Sequence, residues 1–193
     1  MFDPDTPEPK TTQFPKTDAF VLEMKREFPT FSIERKSRSK LHRAIGQFLL
    51  IVTFGGMHTY VSHYHTVLFG KLWVPDAWDR MRDVDRYILL RHERIHLRQR
   101  ARMGDFLMGV YYLFVFFPLG LAYGRARIEW EAYEETLRAT TEELGLEEAK
   151  RLRSWLVERF VGPDYGWMWP FRNQVERWFD EAIASLELES AKE

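Results

Sequence analysis

The pentapeptide His92-Glu93-Arg94-Ile95-His96 constrains this chain more than any other feature. Residues four apart on an α-helix sit one turn above each other, so the two imidazoles share a side. Such a pair can grip one zinc ion through neutral ring nitrogens. Glu93, directly after the first histidine, lies where a base for zinc-bound water belongs. Around it, Trp78, Met81, Val84, Ile88, His92, Ile95 and Gln99 advance by three or four. That spacing predicts one apolar stripe, with His92 in its middle and His96 at its edge. An imidazole there needs a partner, because an unsatisfied buried polar group costs free energy, and a metal satisfies both rings.

A catalytic zinc takes three protein ligands and leaves a fourth position for water. The run Glu129-Trp130-Glu131-Ala132-Tyr133 falls in a second helical pattern, 127–141. Here the chain resembles the gluzincin metallopeptidases, the thermolysin-like class with HExxH and a glutamate ligand on a later helix. Its Glu-x-x-Ala-Tyr is similar to the Glu-x-x-Ala-Asp of the membrane-associated branch. The resemblance covers 66–133 and implies His92, His96 and Glu129 as ligands of Zn2+, with Glu93 as base. Tyr133 stands where that family carries Asp, whose role is to orient a ligating histidine. Glu129 shares its face with Ala132 and Tyr133, whereas Glu131 with Glu135, and Glu134 with Arg138, read as a solvated face. Glu131 remains the alternative third ligand.

At 193 residues and 45% hydrophobic content, the chain can bury one core. The expected organisation is a disordered, Pro/Thr-rich arm over 1–17 and a single zincin-like domain over 18–193. The arm has no apolar stretch after a basic start and is not a secretory signal. A net charge of -1 gives no drive toward nucleic acid. Cysteine is absent, so a metal site must use histidine and carboxylates, which suits a reducing, cytoplasmic setting.

Along the chain, 18–28 reads as a helix stopped by Pro29 and 31–33 as a short extended piece. The basic run 34–43 reads as a solvated helix start leading into apolar 44–54. Residues 56–74 are rich in Thr, Tyr, Val, Phe and Trp around Gly70 and predict a β-hairpin. Asp76 is the expected N-cap of the HExxH helix, and Gly104 its stop. In gluzincins an edge strand beside the zinc holds peptide substrate, and the resemblance implies the same for this hairpin. His58, His63 and His65 read as strand-face polar residues; His58 or His65 is a fourth ligand if the site is a closed, structural one.

The segment 106–123 has no charge and sits at the lower length limit of a spanning helix. A single span would put His96 and Glu129 on opposite sides of a bilayer. The expectation is a buried helix broken near Pro118, or a helical hairpin whose tip touches a membrane surface. The patterns 144–160 and 172–188 predict amphipathic helices joined by an aromatic loop. That loop reads as a core plug, or as a pocket wall from which Tyr165 donates to an oxyanion. The fold expected is α+β, predominantly helical and zincin-like, with a small β-hairpin or edge strand before the HExxH helix. The function expected is zinc-dependent hydrolysis of a peptide or protein by Glu93-assisted attack of zinc-bound water, with peripheral membrane contact through 106–123. The alternative is a non-catalytic zinc-binding structural or membrane-surface interaction protein.

Overall fold

In a computed structural model, the described residues are 13–40, 42–45, 47, 65–113, 120–162 and 168–192, and most of them are helical. The sheet is small. β1 (Ile33–Arg35) runs parallel to β3 (Lys71–Val74), which pairs antiparallel with β2 (Thr66–Leu68), in the order β1-β3-β2. Phe69 (φ 52°) and Gly70 (φ 75°) close the β2–β3 hairpin, both in the positive-φ region that a two-residue turn needs to follow strand twist. The expected hairpin is therefore present at 66–74. Its earlier part, 56–64 with His58 and His63, lies outside the described residues.

Four long helices follow the sheet: α2 (Asp83–Leu113), α3 (Gly120–Leu144), α4 (Leu146–Val161) and α5 (Arg172–Ser190). Before it comes α1 (Pro15–Glu27). This α1 starts three residues ahead of the predicted Asp18, so 15–17 belong to a helix rather than to the arm. The reason is a cap that a local reading cannot see. Asp83 in the first turn of α2 accepts the Lys16 and Thr17 backbone N–H groups, each at 2.9 Å. It thereby satisfies donors that every helix start leaves open.

The start of α2 also differs from expectation. Asp76–Arg80 forms a 3-10 turn, and the α-helix begins only at Asp83, so Asp76 is not its N-cap. Gly104 does interrupt α2, at φ 79° and ψ 159°, a backbone conformation reserved for glycine. The helical path then resumes to Leu113. Residues 114–119, including Pro118, lie outside the description. Phe106 is 86% exposed and Leu107 is exposed too, so this stretch of the apolar segment is not the buried helix expected. Among the described residues, no helix is long and apolar enough to cross a membrane.

The described residues form two cores. One gathers Phe20, Met24, Phe31, Leu72, Val74, Trp78, Leu90 and Leu97 from α1, the sheet and α2. The other gathers Trp130, Leu137, Phe160, Val175 and Phe179 from α3, α4 and α5. Helix α2 packs against both α1 and α3 and so lies between the two cores. It has two buried faces: Leu90, Glu93 and Leu97 on one, Ile88 and Gln99 on the other. The single predicted stripe followed only the second. His96 is accordingly buried rather than at an edge.

Candidate metal centre

The α2–α3 contact places His92, His96 and Glu129 together, with one ligand atom from each, all within 4.8 Å of one another. The two Nε2 atoms are 3.1 Å apart. Glu129 Oε2 is 3.7 Å from that of His96 and 4.0 Å from that of His92. Tetrahedral zinc with bonds near 2.05 Å needs donors roughly 3.3 Å apart, a spacing these three separations bracket.

The hydrogen bonds behind the rings decide which nitrogens carry protons. Thr136 Oγ1 donates to the Ala132 carbonyl at 3.0 Å, and its oxygen accepts from His92 Nδ1–H at 3.0 Å. Gln99 Nε2 donates to the Ile128 carbonyl and to Glu131, each at 2.9 Å. Its Oε1 is thus left to accept from His96 Nδ1–H at 2.9 Å. Both rings carry the proton on Nδ1, so both Nε2 atoms present bare lone pairs to each other and to a carboxylate. Acceptor faces acceptor, a repulsive contact that a cation among them turns attractive. Burial keeps the His92 ring well below its ordinary titration range, in the neutral form that a metal requires.

The residues orienting the ligands were missed from the sequence. Thr136 lies two turns beyond Glu129, and Gln99 one turn beyond His96; helical spacing alone could have flagged both. The resemblance pointed to position 133 for an orienting carboxylate. Tyr133 instead lays its ring edge-on against His92, centroids 4.8 Å apart, and is itself buried. Glu131 is held by Gln99 and is not among the three converging ligands. Glu135, expected on a solvated face with Glu131, pairs with Arg91 at 2.6 Å.

Glu93 is buried beside the two histidines. Burial pushes its carboxyl up to about 7; Glu129 adds to the rise, while His96 and Lys36 oppose it. A carboxylate balanced near neutrality can accept a proton and give it back. Among the described residues no fourth histidine or carboxylate joins the ligand group, His65 included. The described residues thus supply three ligands, the number that catalytic zinc sites use. Tyr165 lies outside the described residues.

The basic run 34–43, read as solvated, is in part buried. Lys36 and His42 are fully buried. Lys36 Nζ donates to Thr66 Oγ1 at 2.7 Å, and burial, partly offset by Glu93, lowers the ammonium to about 7. No known family model, curated protein or solved structure matches the chain.

Proposed function

We propose that the chain is a zinc-dependent hydrolase of the HExxH-plus-glutamate type. More narrowly, we take it to be a gluzincin-like metallopeptidase with a zincin-like domain. The observation that carries this reading is the convergence of two Nδ1-protonated imidazoles and a buried carboxylate, with no fourth histidine or carboxylate among the described residues. His92, His96 and Glu129 would hold the metal, which when bound supplies a Lewis acid and makes a water acidic enough to react at neutral pH.

The chain's own residues then divide the work. Glu93 takes the proton as the water oxygen bonds to the carbonyl carbon and the π electrons pass to the carbonyl oxygen. It returns that proton to the amide nitrogen as the C–N bond breaks and the amine leaves. Thr136 and Gln99 keep the rings in the ligating tautomer. Strand β2, at the edge of the sheet among the described residues and against α2, offers backbone groups to an extended peptide. A cytoplasmic setting suits a cysteine-free chain, and exposed Phe106 and Leu107 supply apolar side chains for contact with a membrane surface.

Metal analysis of the purified full chain tests the reading. One zinc per chain is expected in wild type and in Glu93→Gln, and near none in His92→Ala or Glu129→Ala. Cleavage of fluorescein-labelled casein should appear in wild type and vanish in Glu93→Gln. A wild-type chain without zinc, or full cleavage by Glu93→Gln, overturns the proposal.

A further inference from the structure

A cleft of about 400 Å³ lies between the second half of α2 and the first turns of α3, room enough for a small organic molecule. Its walls among the described residues include none of His92, His96, Glu129 and Glu93, so it is separate from the candidate metal position. Most of the wall is already committed. Gln99 is held by His96, the Ile128 carbonyl and Glu131, each at 2.9 Å. The last of these engages the single carboxylate that lines the cleft among the described residues. A Cβ at Gly124 would fall 2.4 Å from the Tyr111 ring, so the missing side chain is what makes room for that ring. Tyr123 is seated against Trp169, with ring centroids 5.2 Å apart, and against Trp178. Two aromatic walls are thus in place before any ligand arrives, which lowers the entropy lost on binding.

The cations of the wall are not committed. Arg102 from α2 and Arg127 from α3 both line the cleft, are exposed, and make no hydrogen bond or ion pair among the described residues. Elsewhere on α2, Arg91, Arg94, Arg98 and Arg100 each pair with a carboxylate. The field of Glu134 reaches Arg127, but Glu134 does not line the cleft. Two guanidiniums against one engaged carboxylate leave the cleft electropositive, and each planar fork matches the two oxygens of a carboxylate.

We propose that this cleft is a binding site for a small organic carboxylate with an aromatic body, its charge taken by Arg102 and Arg127 and its ring by Tyr111 and Tyr123. The assignment does not depend on the zinc-hydrolase reading. Inorganic phosphate would satisfy the guanidiniums but leave the aromatic walls unused, so ring surface separates the two anions. Gln99 forms part of the wall and also accepts from His96 Nδ1–H, so an occupant meets a residue that orients a candidate metal ligand.

The experiment titrates naphthoate into the full chain in chelator, which keeps metal out of the result, and follows the ligand's fluorescence. Naphthamide, of the same shape and uncharged, and inorganic phosphate are the comparison probes. Arg102→Gln and Arg127→Gln change exposed side chains and are chosen to fold, which thermal melts confirm. Arg151→Gln on α4, an exposed arginine outside the cleft, controls for the overall loss of charge. Wild type and Arg151→Gln should bind naphthoate equally. Each cleft variant should bind it roughly tenfold more weakly or worse, as for losing a hydrogen bond to a charged group. Naphthamide should bind wild type with a similar loss, and phosphate at equal concentration should not displace naphthoate. The site is overturned by a wild type that binds no naphthoate, by naphthamide binding as tightly as naphthoate, or by phosphate displacing it. Wild-type affinity in either cleft variant, or an equal loss in Arg151→Gln, also overturns it.

Discussion

Replacing Lys36 with methionine should make the metal-free protein more stable near pH 6, against the usual outcome of changing a buried residue. In the unfolded chain this lysine holds its proton up to 10.5, and in the fold only up to about 7. At 1.36 kcal/mol per pH unit, that gap is a cost of about 5 kcal/mol wherever both states are protonated. Methionine removes the cost and forfeits the Thr66 hydrogen bond, worth about 1 kcal/mol, for a net gain on the order of 3–4 kcal/mol. For a chain of this size the melting temperature should rise by roughly 6–16 °C. The pH dependence is the sharper test. A base whose folded value is depressed destabilises fully below about pH 7; the penalty shrinks as pH rises toward 10.5 and then vanishes. Glu93, raised to about 7, is largely neutral at pH 6, so losing the cation strands little negative charge there. Melts of wild type and Lys36→Met in chelator at pH 6, 8 and 10 would show a gain that falls with pH. A variant less stable than wild type at pH 6, or an equal gain at pH 6 and pH 10, refutes the placement of this ammonium in a dry, costly position.

Gln99→Ala takes the acceptor from His96 Nδ1–H and should weaken zinc binding about 10–100-fold in chelator competition; unchanged affinity would contradict the tautomer assignment. Asp83→Ala uncaps α1 and should cost about 1–2 kcal/mol in urea melts at pH 6. Burial pulls the Asp83 carboxyl up, but the Thr17 and Lys16 hydrogen bonds outweigh it and hold it below its ordinary value. Its contribution is therefore present above about pH 4 and lost as pH falls through the lower folded value, so the deficit should shrink in acid. Gly124→Ala would put a methyl group 2.4 Å from the Tyr111 ring and should destabilise by about 1–3 kcal/mol; Tyr111→Ala in the same chain should recover part of the loss.

The convergence of His92, His96 and Glu129 was legible because its geometry is local: two histidines one turn apart need only a helix, and Glu129 needs only a second helix packed on the first. Their supports obeyed the same rule, yet Thr136 and Gln99 passed as ordinary polar residues because nothing in a linear pattern says which helix face meets a neighbour. Position 133 misled for a related reason. A family likeness carries the place of an orienting group but not the route by which a chain with Tyr133 satisfies the same nitrogen from Thr136, one turn along. The start of α1 shifted because Asp83 stabilises a helix remote in sequence. Lys36 was the deepest miss. In a run of Glu, Arg, Lys and Ser, charge reads as solvation, and the pairing of β1 with β3 is what turns this one lysine inward. That pairing joins segments about forty residues apart, and no local pattern reports which side chain such a pairing turns inward.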